Sequence, residues 1–149
     1  MGTLQDAKLL TVGYEGRTAA ELMDVLTEAE VNVLVDVRLT PLSRKPGLSK
    51  RRLADALGAA GVQYLHLPAL GNPKGNRDGF RRGEPSSRDS FRAILLTPQA
   101  QQALDELRTR VANHRVALFC FERDADCCHR QLVSEHLLSG YRHLEVLHL

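Results

Sequence analysis

Short apolar runs alternate along this chain with stretches of helical period, and that alternation restricts the fold more than any other feature. Residues 8–12 form a brief apolar run that ends at Gly13 and predicts a strand. Thr18 and Glu21 have capping-box spacing and open a helix, in which Leu22, Val25, Leu26 and Ala29 repeat at i, i+3, i+4 and i+7. Residues 31–37 are a β-branched run of the kind buried on both faces of a parallel sheet. Ser49 is placed to cap a second helix with Leu53, Ala56, Leu57 and Ala60 inward and Gly61 as its stop. Residues 62–67, 116–121 and 144–149 predict three more strands. Thr97 and Pro98 open a helix carrying Leu104, Leu107 and Val111 on one face, and a last helix is expected from about Cys127 to Ser139, ended by Gly140.

Strands separated by helices predict an α/β fold: a single domain over residues 1–149, with an open, mostly parallel sheet of about five strands and helices on both faces. This is a Rossmann-like three-layer sandwich. The pattern does not fix the strand order. One stretch stands apart, a polar segment at about 68–92 with six basic residues (Lys74, Arg77, Arg81, Arg82, Arg88, Arg92) against three acidic. It reads as a long Arg-rich loop, either a lid over the sheet edge or disordered.

Composition narrows the partners. No apolar run approaches the roughly 20 residues of a membrane span, and the polar first eight residues lack a signal peptide's apolar stretch. Three cysteines are too few, and odd, for a secreted disulfide scaffold, so the cytoplasm is the expected compartment. A net charge of +2 does not by itself imply nucleic acid, and seven Phe plus Tyr with no Trp leave little for a base-stacking platform.

The polar residues that look misplaced share one location. Tyr14 and Glu15 follow the first strand, Asp36 and Arg38 end the second, and His66 ends the third. Cys120, Glu122 and the run Cys127-Cys128-His129-Arg130 follow the fourth. In a parallel sheet all of these lie on one edge, where open α/β folds bind ligands. Asp36 and Arg38 read either as a structural ion pair or as a general base beside an anion-gripping arginine. His66 is a candidate acid or base, or a half-buried structural histidine. Cys120 is either a small core residue or a reactive thiol. With Asp124 or Asp126 as cap, Cys127 and Cys128 fall in the first turn of the last helix, whose positive end favours a thiolate or binds a phosphate. Adjacent Cys-Cys-His on a helix turn does not readily give three ligands to one tetrahedral ion, so no metal and no cofactor are expected. His136, His143 and His148 read as structural or solvated, and no phosphate-binding glycine loop is present.

Several motifs occur in order: Thr11-Val12-Gly13-Tyr14-Glu15-Gly16, Val35-Asp36-Val37-Arg38 with Pro41 and Ser43, and Tyr64-x-His66 with Leu70-Gly71-Asn72-Pro73. Cys120-x-Glu122 and Cys128-His129-Arg130 follow. Together they resemble the domain of unknown function 488 family over about residues 8–148, closest to its branch carrying TIGYEG and LGNPK. Val12 stands where that pattern has Ile, and Cys127 falls outside it. The resemblance implies an α/β fold and a shared site built from Gly13, Asp36, Arg38, His66, Cys120, Glu122, Cys128, His129 and Arg130. It also places Tyr14, Ser43, Gly71 and Asn72 in ligand-contacting motifs. At the level of fold alone the chain is similar to rhodanese-like domains, with Cys120 in the nucleophile's place, although Arg130 lies ten residues beyond it across a longer loop.

Three functions are therefore expected. The first is an enzyme or binding protein for a phosphorylated or nucleic-acid-derived ligand, with Arg38, Arg130 and the Arg-rich segment on the anion, Asp36 or His66 as acid or base and Glu122 orienting. The second is thiol chemistry, sulfur transfer or redox, at Cys120 or Cys128. The third is a ligand sensor or nucleic-acid-binding module without turnover. An anionic small molecule or nucleic acid is the expected partner, with no membrane, and an exposed sheet edge allows a homodimer.

Overall fold

The apolar runs become five strands: β1 (Asp6–Gly13), β2 (Val33–Asp36), β3 (Gln63–His66), β4 (Val116–Cys120) and β5 (His143–His148). The computed structural model describes residues 6–137 and 143–149. The strands pair in parallel throughout, in the order β3-β2-β4-β1-β5. β4 is the central strand, buried at every residue, and β2 beside it is equally buried, which is why both read as unbroken apolar runs.

Strand order and helix placement follow from one another. From β1 the chain steps to β2 and β3 in one direction, then returns to β4 and on to β5 in the other. Right-handed crossovers of opposite direction put their helices on opposite faces. α1 (Ala19–Glu28) and α2 (Lys50–Ala59) pack Leu22, Leu26, Leu53 and Leu57 on one face against Leu10, Val12, Leu34 and Phe119. On the other face lie α3 (Arg77–Arg81), α4 (Pro85–Leu95), α5 (Pro98–Asn113) and α6 (Arg130–Leu137). Their Phe80, Phe91, Leu104, Leu107 and Val133 meet Leu9, Val33, Val35, Val116 and Leu118. This is the α/β three-layer fold expected, and no helix among the described residues is long and apolar enough to cross a membrane.

The capping box at α1 is formed on both sides, Glu21 N donating to Thr18 Oγ1 and Thr18 N to Glu21 Oε1. Ser49 precedes α2 but does not cap it with its side chain. Its hydroxyl instead accepts from Ser43 N at 2.9 Å and donates to Ser43 O at 3.1 Å, closing the loop between them.

Two expectations are corrected. The segment at about 68–92 is not a loop: turns of 3-10 helix at Pro68–Leu70 and Lys74–Asn76 lead into α3 and α4. Its order comes from apolar residues spaced among the arginines. Phe80 and Phe91 meet edge to face at 6.2 Å between centroids, and Ser87, Phe91 and Leu95 repeat every fourth residue on the buried side of α4. The last helix also begins later than expected. Asp124 caps a 3-10 turn, Ala125–Cys127, by accepting from Asp126 N. Cys128 is extended, and α6 starts at Arg130. Neither Cys127 nor Cys128 is therefore in a helical first turn. The expected run to Ser139 and the stop at Gly140 lie outside the described residues.

Candidate functional site

Because β4 leaves for one face while β1 and β2 on either side leave for the other, a crevice opens at its carboxyl end. Such a divergence is where open α/β sheets bind ligands. The crevice holds about 270 Å³. Tyr14 and Arg38 form one wall, Cys120, Glu122, Cys127 and His129 the other, and Asn72, Arg77, Phe80 and Arg81 the roof.

Gly13 and Gly71 serve close backbone approach. A Cβ on Gly13 would overlap the Glu122 carbonyl, and one on Gly71 would lie 2.5 Å from Leu39 Cα. The contact at Gly13 lets the β1 exit run beside that of β4, with Tyr14 N on Cys120 O at 3.2 Å and Glu15 N on Phe121 O at 2.8 Å. Neither glycine lines the crevice, so the structure gives both a packing role.

Asp36 and Arg38 bind each other. Arg38 Nε donates to Asp36 Oδ1 at 2.9 Å and its NH2 to Oδ2 at 2.8 Å, while Arg38 N donates to Oδ1 and Tyr64 OH to Oδ2 at 2.6 Å. Arg38 NH1 reaches Leu48 O, and the guanidinium lies over the Tyr14 and Phe119 rings. Burial disfavours the Arg38 charge, and the Asp36 carboxylate outweighs it, leaving the guanidinium more firmly protonated than usual. Burial and Asp36 together push the Tyr64 hydroxyl's pKa up. His66 Nε2 donates to Arg38 O at 2.8 Å. These bonds fasten the turn after β2 and occupy the groups that acid–base work or anion gripping would need. Asp36, His66 and Ser43 do not line the crevice.

The sulfur cluster lies opposite. Cys120 Sγ and Cys128 Sγ are in direct contact, but their Cα atoms lie 7.7 Å apart, wider than the roughly 4.4–6.8 Å that disulfides span, so the pair reads as two adjacent thiols. Arg130, wholly buried, donates from NH1 to Cys120 Sγ at 3.2 Å and to Glu122 O, and from NH2 to Arg123 O at 3.0 Å. Burial pushes its pKa down to about 10, which leaves it charged at neutral pH. Glu122 Oε1 lies 3.9 Å from Cys120 Sγ, and its Oε2 accepts from Arg81 NH2 at 2.7 Å. That bond strengthens the Arg81 charge. His129 Nε2 is 2.8 Å from Val37 O, and its Nδ1 is 3.6 Å from Cys128 Sγ. A carbonyl only accepts, so Nε2 carries the hydrogen and Nδ1 turns a lone pair toward the thiol. Burial pushes the imidazole pKa down to about 4, so the ring is neutral. Cys127, half-buried on the crevice wall, has its thiol pKa pushed up by burial and by Asp124, Asp126 and Glu122.

Of the residues singled out in the sequence, the structure gathers Cys120, Glu122, Cys128, His129 and Arg130 into one cluster, with Tyr14 and Asn72 across the crevice. Of the roof residues, Arg77 and Arg81 were expected only as members of an Arg-rich segment over the sheet edge, and Phe80 was missed; its sequence signal is the spacing of Phe80 and Phe91 within that stretch.

A protein-family model described as Domain of unknown function DUF488 matches residues 18–137. No curated protein matches the chain, and no solved structure does.

Proposed function

This chain belongs to the DUF488 family, and we propose that it is a thiol-dependent enzyme whose reacting atom is the Cys120 sulfur. The observation that carries this reading is the buried Arg130 guanidinium, 3.2 Å from that sulfur at the crevice wall. A fixed positive charge against a thiol favours the thiolate, which is the nucleophilic form. Arg130 is held in place by two carbonyls, so its position does not depend on ligand.

The substrate is an anionic small molecule, phosphorylated or nucleic-acid-derived, drawn to Arg77 and Arg81 on the roof. Glu122 receives the Cys120 proton. The thiolate forms a bond to an electrophilic atom of the substrate, and the electron pair of the broken bond departs with the leaving group, which regains the proton from Glu122. Water or an acceptor thiol then releases the adduct from Cys120. Reading the site instead as acid–base catalysis by Asp36 and His66 is weaker, because those groups are bonded to Arg38 rather than turned to the crevice.

Alkylation of the reduced, metal-free protein by iodoacetamide, with mass mapping of the three cysteines, tests the reading. Cys120 should label at least about tenfold faster than Cys127 near neutral pH, and Arg130→Lys should slow Cys120 selectively. Uniformly slow labelling of all three would reject a thiolate at Cys120.

A further inference from the structure

We propose that Cys120, Cys128 and His129 form a binding site for a soft divalent cation, zinc being the natural fit, with a fourth coordination position open to the crevice. The inference rests on the thiolate reading of Cys120, since an ionised sulfur is what such a cation takes. The three ligand atoms lie within 4.8 Å of one another, and all three residues are buried.

The sequence argument against a metal assumed that Cys127, Cys128 and His129 share a helix turn. They do not. Cys128 is extended, and the third ligand comes from the end of β4, eight residues away. Two separate backbone segments thus converge on one point, as a tetrahedral site requires.

His129 is arranged as a ligand. Its Nε2–H is tied to the Val37 carbonyl, which fixes the ring and leaves Nδ1 as the free lone pair. The Nδ1···Sγ distance to Cys128 is 3.6 Å. In a tetrahedron with Zn–S of about 2.3 Å and Zn–N of about 2.0 Å, the edge between those atoms is about 3.5 Å, close to that distance. An ion would part the two sulfurs to about 3.8 Å, and the 7.7 Å between the Cα atoms leaves room for that. Two thiolates neutralise the ion's charge, and Arg130 remains as an N–H donor to the Cys120 sulfur. Any proton still on a thiol leaves on binding. Because Cys120 and His129 both line the crevice, water or a substrate atom can take the fourth position. Occupancy by zinc engages the Cys120 lone pair, so the metal-bound and nucleophilic forms exclude each other.

The test uses the full chain, reduced and stripped with chelator, titrated anaerobically with Co²⁺ and then Zn²⁺. The expected result is a sulfur-to-cobalt charge-transfer band with intense tetrahedral visible bands, saturating at one ion per chain and bleached by Zn²⁺. Cys120→Ser, Cys128→Ser and His129→Gln should each weaken binding at least about tenfold, while Cys127→Ser should not. Zn²⁺ should also block alkylation of Cys120. The wild-type spectrum decides the matter even if a variant fails to fold. No tetrahedral cobalt spectrum, or undiminished binding by a folded Cys120→Ser/Cys128→Ser protein, overturns the site. Fast Cys120 labelling that Zn²⁺ does not slow overturns it too while leaving the thiol reading intact. Slow labelling in the metal-free protein defeats the thiol reading, and the cobalt spectrum still decides the metal site.

Discussion

Two buried arginines at the same sheet edge do different work, and their neighbours decide which. Arg38 meets a carboxylate through Nε and NH2 and is spent on it. Arg130 meets carbonyls and a sulfur, and so its charge is turned to the Cys120 sulfur. Asp36→Asn should strip the buried guanidinium of its counter-charge and cost about 3–5 kcal/mol, read as a lowered urea midpoint. His129 makes a second residue-level prediction. Its folded pKa, about 4, lies below the ordinary 6.5. Below pH 6.5 the unfolded chain therefore takes up a proton that the native ring refuses. Stability should fall as pH drops from 6.5 toward 4, by up to about 3 kcal/mol. His129→Gln should lack that component in urea unfolding measured across the same range. The Asp36–Arg38 pairing was legible as one of two alternatives from spacing alone. Which alternative holds is set by Tyr64, Leu48 and His66, contacts that no local pattern encodes.

At the scale of elements, the ends of strands carry the consequences. Gly13→Ala would drive a Cβ into the Glu122 carbonyl, displacing the loop that Arg130 holds. The expected outcome is a loss of several kcal/mol (about 3 or more) together with slower Cys120 alkylation, both measurable on one preparation. Phe91→Ala, at the centre of α4, should cost about 3–5 kcal/mol in unfolding experiments. These elements differ in how plainly the sequence announces them. α1 carries its capping box and apolar stripe in consecutive residues, and β2 and β4 are unbroken apolar runs, so local pattern suffices. α3 and α4 are hidden because Phe80, Phe91 and Leu95 are diluted by six basic residues, and composition then resembles a loop. The start of α6 was misplaced because Asp124 spends its carboxylate on a 3-10 turn before the helix begins. Strand order was not legible, since it depends on which crossover passes over which strand.

Across the whole molecule, one sheet separates two apolar layers, and β1 to β4 contribute to both. Neither layer can lose its packing without exposing the reverse side of the same strands. Unfolding should therefore be a single transition, with far-UV circular dichroism, Tyr14 and Tyr64 fluorescence from one face and Cys120 and Cys128 accessibility from the other giving coincident urea curves. Separated midpoints would mean that the layers melt independently. The crevice has a divided origin too. Its walls come from strand ends and the turns that follow them, whereas Asn72, Arg77, Phe80 and Arg81 come from the β3-to-β4 connection. That connection is held to the sheet by Phe80 and Phe91 in the core and by Gly71 against Leu39. Under the proposed function, recognition and reactivity fall to separable stretches of chain. Exchanging the roof segment between relatives should retune which ligands are admitted while the sulfur cluster keeps its geometry, so the scaffold is open to divergence, and to engineering, one cassette at a time.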